Sequence, residues 1–343
     1  MLKVVATVCV IFHHYQVYTD TTFNTGINFR GRSGWIELFF LLSGYFISRY
    51  KEGIYNGELS FKEFFVPKYL RFFMPRVLTV LLFAFLCDWY QHIYSVAFFD
   101  RTPTIFNVIQ ACCGFTTGWG LPISKMNGTV WYISVLLLCY VVFYLCVWCA
   151  MKLNVNPNWM LTAWIFIGFS MASINTDILM LNAYTAQGYT SFFWGVILAE
   201  LVKHKEVSMK HLFLACFCFA GVAYFLVAYK ESYAADHLNY LYTFCLWPPL
   251  RVMMESKLAH RVLGFKWISW LSKVPFEAYI WHFPLILLLL DVNRVFEYDF
   301  TYCNRWIQIG IAVVSYLVGI VCYYLVEKPG VSWLLKVTGI ERE

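Results

Sequence analysis

Apolar runs recur along the chain at residues 2–18, 35–50, 77–98, 130–151, 159–173, 187–202, 212–229, 240–254, 276–291 and 307–326, with short polar stretches between them. A helix needs about 20 mostly apolar residues to cross a bilayer. The shorter runs reach that length by extending into flanking polar positions. The pattern predicts an all-α polytopic membrane protein with about ten transmembrane helices. No internal repeat, low-complexity tract or soluble linker interrupts it, so residues 1–330 read as a single transmembrane domain and residues 331–343 as a short cytoplasmic tail.

Ten crossings put both termini on the same side. All but seven of the 26 Lys and Arg residues then fall on that side; the exceptions are Arg30, Arg32, Arg101, Lys125, Lys230, Arg294 and Arg305. Cytoplasmic loops hold the excess of Lys and Arg, so both termini are expected in the cytoplasm. Composition agrees with a membrane location: 13% of residues are charged, against about 25% in soluble domains. The net charge of +6 does not point to nucleic acid, because the cations lie in short loops between apolar runs. Nine of the twelve cysteines lie inside apolar runs, where they act as small hydrophobes. Cys146 and Cys149 form a CxxC with no second pair at zinc-ribbon spacing, so no metal site is expected.

Candidate chemistry begins in the first run. On a helix, Lys3 and His14 lie within about 20° of one face and about 16 Å apart along the axis, while His13 points about 80° away. Ionisable groups inside a membrane are costly and commonly functional. Glu37 stands near the outer end of the second run, as His14 does in the first. Sequential helices are usually neighbours, and a carboxylate beside an imidazole fixes its tautomer and suits it to general-base work. Gly44 shares the face of Glu37 and admits the close approach of a backbone or a ligand.

The basic, aromatic stretch 51–76 reads as an amphipathic helix at the membrane surface, with Lys68 and Arg71 on one face. Lipid headgroups or a bound ligand would equally suit these cations. The loop 100–129, the longest outside, holds four Gly or Pro residues from Gly114 to Pro122 and is able to fold partly back into the membrane; Asn127 opens a glycosylation sequon. His282 lies two residues before Pro284, as in a kinked packing helix. Glu327 and Lys328 close the last run, where a cation favours the helix end.

Taken together these residues resemble the acyltransferase-3 family of integral-membrane O-acyltransferases, over essentially the whole chain. Lys3 and His14 match the family's basic residue, ten residues, then His. Residues 35–45, including Glu37, Ser43, Gly44 and Tyr45, match its second-span motif. Lys68, Arg71 and Pro75 loosely match its basic motif, Trp131 its fourth-span start, Tyr279, His282 and Pro284 its ninth span, and Glu327, Lys328 and Pro329 its closing motif. Lys stands at 3 and 68 where Arg is commoner, and Trp35 where Gly is. The resemblance implies transfer of an acyl group, above all acetyl, from cytoplasmic acyl-CoA to a hydroxyl of an extracytoplasmic glycan or cell-envelope acceptor. It implies a multi-pass cell-membrane protein, without metal or nucleic acid, that works beside other cell-envelope biosynthesis proteins. Lys3, Lys68 and Arg71 would meet the CoA phosphates. His14 would be the base and Glu37 its orienting acid, with Ser43, Gly44, Trp131, His282 and Glu327 completing the motifs. A secondary transporter or flippase of an envelope precursor is the rival reading; such proteins commonly show two related halves, and none are visible here.

Overall fold

The computed structural model describes residues 2–22, 29, 34–98, 104–120, 128–174, 178–201, 207–228, 241–258, 261, 270–298 and 300–340. Among these the chain is helical, with an isolated bridge between Ile178 and Leu181 as its β-pairing. The helices are α1 (Leu2–Tyr18), α2 (Trp35–Ile47), α3 (Lys51–Tyr55), α4 (Phe61–Tyr94), α5 (Ile105–Cys113), α6 (Val130–Leu153), α7 (Pro157–Ile174), α8 (Ala183–Leu201), α9 (Met209–Ala228), α10 (Trp247–Glu255), α11 (Pro275–Val295), α12 (Arg305–Cys322) and α13 (Lys328–Thr338). A 3-10 turn, Ser48–Tyr50, follows α2, and π turns at Leu241–Leu246 and Tyr323–Glu327 lead into α10 and α13. The described residues of every apolar run fall largely on helix. Among the described residues, four stretches are long and apolar enough to cross a membrane: Phe61–Tyr94, Val130–Leu153, Pro275–Val295 and Arg305–Thr338. Phe85, Val313 and Leu325 stand exposed on them, as side chains in contact with lipid do. Asn127 and the loop cations Arg30, Arg32, Arg101, Lys125, Lys203, Lys205 and Lys230 lie outside the described residues.

The basic stretch 51–76 is not a separate surface helix. It divides at residue 61, and its second half continues unbroken through Pro67 and Pro75 as the first half of α4. A proline removes one backbone donor and crowds the preceding turn, but here it does not end the helix.

The chain forms two compact units. One comprises residues 32–61 and 138–270; the other comprises residues 2–31, 62–137 and 271–343. In the first unit α2 and α8 cross with their backbones almost touching. A Cβ on Gly44 would run into the Phe192 carbonyl, and one on Gly195 would run into the Leu41 carbonyl. Each helix thus offers a glycine to the backbone of the other. Small residues at helix crossings in membranes allow this approach, and close packing holds such helices together. Gly44 therefore meets a backbone, one of the two partners its sequence position allowed. Polar side chains pin the same unit further along: Lys51 pairs with Glu200 and donates to Asn158 Oδ1 at 2.9 Å, and Asn158 donates to Glu200 at 2.8 Å.

In the second unit α1, α11 and α12 share a core of Ile11, Tyr15, Ala278, Ile286, Ile311, Ala312 and Tyr316. A second core joins Val80, Phe83 and Leu86 of α4 to Ala111, Val130, Phe283 and Leu287. Residues 331–338, expected as the start of a tail, are helical and pack Val331 and Leu335 on Leu70.

After α4 the chain turns back along it. The Tyr69 hydroxyl donates to the Cys113 carbonyl at 3.1 Å, and Phe115 stacks on Tyr69. Arg76, fully buried, donates from Nε to the Cys112 carbonyl at 3.0 Å and from Nη2 to the Cys113 carbonyl at 3.1 Å. The last carbonyls of a helix have no intrahelical donors and carry its negative dipole end. An arginine from α4 supplies both donors and charge to α5. Ser134 of α6 holds the next residues: it accepts from Thr116 N, donates to the Thr117 carbonyl and offers its own carbonyl to Trp119 Nε1.

Gly114 closes α5 at φ 76°, and a Cβ there would strike the Arg76 guanidinium. Gly114→Ala is expected to cost about 1–3 kcal/mol from the left-handed backbone alone, with further loss from displacing Arg76. The thermal unfolding midpoint of the purified protein in detergent checks this; an unchanged midpoint would show that the α5 cap is not a stabilising contact.

Candidate active site

His14 and His282 meet in the second unit although 268 positions separate them. Their rings lie 5.0 Å apart between centroids at an interplanar angle of 25°, and His282 Nε2 is 2.9 Å from His14 Nδ1. His282 is fully buried; His14 is half-buried. Aromatic rings wall the pair. Phe283 stands edge-on to His14 at 5.6 Å, Tyr18 lies 6.4 Å away along the next turn of α1, and Phe83 and Phe98 back Phe283.

The hydrogen bonds fix which nitrogen carries which proton. His282 Nδ1 faces the Tyr279 carbonyl. A carbonyl only accepts, so Nδ1 is the donor, and in a neutral ring Nε2 is then the acceptor. The contact with His14 therefore takes its proton from His14 Nδ1, which leaves the lone pair of His14 on Nε2. Pro284 has no N–H for the Ile280 carbonyl four residues back and crowds that turn of α11. His13 points elsewhere. Its Nδ1 donates to the Phe29 carbonyl at 2.8 Å, and Phe29 N donates to Gln16 Oε1 at 2.7 Å. The adjacent histidines thus serve different partners, as the 100° step of a helix requires.

A charged cluster occupies another part of the same unit. Arg71 Nε donates to Glu327 Oε1 at 3.1 Å; the Arg71 side chain is about half exposed and that of Glu327 is buried. Lys3 lies within electrostatic range of Arg71. Lys68, by contrast, turns back on its own helix: Nζ donates to the Phe64 carbonyl at 2.6 Å and sits 4.0 Å over the Phe64 ring. Glu277, fully buried, faces both Glu327 and Cys322. Five residues advance an α-helix by about 500°, which would leave Cys322 and Glu327 about 140° apart. The π turn Tyr323–Glu327 closes on residues five apart instead and so turns both toward Glu277.

Of the sequence candidates, the structure brings together His14 with His282, and Arg71 with Glu327 and Lys3. Trp131 opens α6 edge-on to Tyr132, whose ring packs on Tyr279. Glu37, buried in the first turn of α2, Ser43 and Gly44 belong to the other unit. Sequence reading passed over Glu277 and Arg76 as site residues. Both are ionisable residues of apolar helices, and that alone was the available signal.

The family model described as an acyltransferase domain matches residues 1–325. The chain belongs to the acyltransferase-3 family. The chain is similar to the peptidoglycan O-acetyltransferase OatA of Listeria monocytogenes, at 20% identity over 380 aligned positions covering 96% of this chain and 54% of that protein. The chain thus spans about half the length of that relative. No solved structure matches it.

Proposed function

We propose that this chain is a multi-pass membrane O-acyltransferase that moves acetyl from cytoplasmic acetyl-CoA to a hydroxyl of an extracytoplasmic cell-envelope glycan, with ten crossings and both termini in the cytoplasm. The relative OatA is named as a peptidoglycan O-acetyltransferase, which makes a cell-wall glycan the first acceptor to try. One observation carries the chemistry: a half-buried imidazole whose Nδ1 is held by a second ring, so that its basic nitrogen is Nε2. The acceptor hydroxyl gives its proton to that nitrogen as its oxygen attacks the thioester carbonyl. The carbon–sulfur bond breaks, and the CoA sulfur takes the proton back. Attack by the same nitrogen on the thioester, through an acyl-histidine, is the other route open to it. Half-exposed Arg71, with Lys3 close by, supplies cations for the CoA phosphates. The Glu327 carboxylate holds Arg71 in place until they arrive. Lys68 would have to leave the Phe64 carbonyl to join them.

The test is transfer by the purified protein in liposomes from radiolabelled acetyl-CoA to soluble cell-wall glycan fragments. Base-labile label on the glycan, dependent on both substrates, is the expected result. Donor consumption without labelled glycan, or no consumption at all, would count against the reading; transport of intact glycan across the liposome without acylation would favour the flippase.

A further inference from the structure

We propose that His282 is a positioning residue that sets the tautomer of His14: it accepts the His14 Nδ1 proton on its own Nε2 and is prevented from offering a proton there because its Nδ1–H is committed to the Tyr279 carbonyl. This rests on the acyl-transfer reading for its consequence, though not for its geometry. The His14–His282 contact is 2.9 Å, His282 is fully buried, and Phe283 packs edge-on to both rings. A neutral imidazole has one donor and one acceptor nitrogen. With the Tyr279 carbonyl on one side of His282, the order along the chain of groups has one solution: His14 Nδ1–H to His282 Nε2, then His282 Nδ1–H to Tyr279 O. The opposite tautomer of His14 would set two bare nitrogens against each other at 2.9 Å. In catalysis the proton of the acceptor hydroxyl arrives at His14 Nε2, the ring becomes an imidazolium, and Nδ1–H keeps its bond to His282. When the proton passes to the CoA sulfur, His14 returns to its starting tautomer. His282 gains and loses nothing. It does the work sequence reading gave to Glu37, from a helix 268 positions away rather than from the next one.

Two side chains of similar chemistry and different reach separate this role from simple packing. His282→Gln places an amide where Nε2 stood, able to accept from His14. His282→Asn places its amide where Nδ1 stood, toward Tyr279 and away from His14. His282→Leu fills the volume with no acceptor. The expected order of transfer rates at saturating donor is wild type, then Gln within about tenfold, then Asn and Leu lower by about 10²-fold or more, with the KM for acetyl-CoA unchanged throughout. A Leu variant within threefold of wild type, or Asn as active as Gln, would overturn the proposal. Should every variant fail to fold, nitrogen-15 shifts of histidine-labelled wild-type protein decide it, with the His14 signals assigned by their loss in His14→Ala. A protonated Nδ1 and bare Nε2 are expected, and the reverse pattern would refute the assignment. A wild-type protein that transfers nothing yet shows the expected shifts would sink the acyltransferase reading and leave the tautomer assignment standing.

Discussion

His14→Ala is expected to remove nearly all acyl transfer while the chain still inserts and folds. The ring is half-buried between the His282 ring and the Val10 backbone, so its loss opens a small space beside Phe283 and Tyr18 without stranding a charge. A general base contributes about 10²–10⁴-fold, and that is the expected fall in rate at matched protein levels. His14→Gln should be equally inactive, since an amide keeps hydrogen bonding but takes no proton at neutral pH. His13→Ala is the control: it removes the bond to the Phe29 carbonyl and should cost some stability with the rate largely kept. Initial rates with size-exclusion profiles for each variant make the comparison. An active His14→Ala beside an inactive His13→Ala would move the chemistry to the other histidine.

Gly44→Val is expected to be the most damaging substitution in the first unit. Its Cβ would meet the Phe192 carbonyl, a backbone atom that cannot swing aside. Overpacking costs about 1–3 kcal/mol where side chains can adjust; here the helices themselves must part, so about 3 kcal/mol or more is expected. Gly195→Val attacks the same crossing from the other helix, against the Leu41 carbonyl. Once α2 and α8 have separated for one side chain, the second finds room already made. The double variant should therefore lose clearly less than the sum of the singles, the non-additivity expected of residues sharing a contact. Melting midpoints of the four proteins in detergent test both points. A wild-type midpoint for Gly44→Val would mean that the helices do not touch there.

Helices were legible because apolar runs report them directly, and the start of α1 at Leu2 and of α6 at Val130 fall where the runs begin. The union of the basic stretch with the third run was not, because alternating cations and aromatics read as a helix of their own at the membrane surface, whereas the helix runs on through Pro67 and Pro75. Nor were the π turns, which leave no period in the sequence. At the site, the special standing of His14 followed from its spacing to Lys3. Its partner did not. Order along the chain pointed to Glu37, which belongs to the other unit; the ring that meets His14 comes from near the end of the chain, where Pro284 and the ninth-span motif set His282 apart.

The capping of α5 by Arg76 has a consequence for how the chain is made. α4 leaves the ribosome first, and the Arg76 guanidinium has no Cys112 or Cys113 carbonyl to bond until α5 has been made. A charge buried without a partner is costly. The burial of Arg76, and with it the final seat of the first half of α4, therefore waits on the synthesis of the segment that completes it.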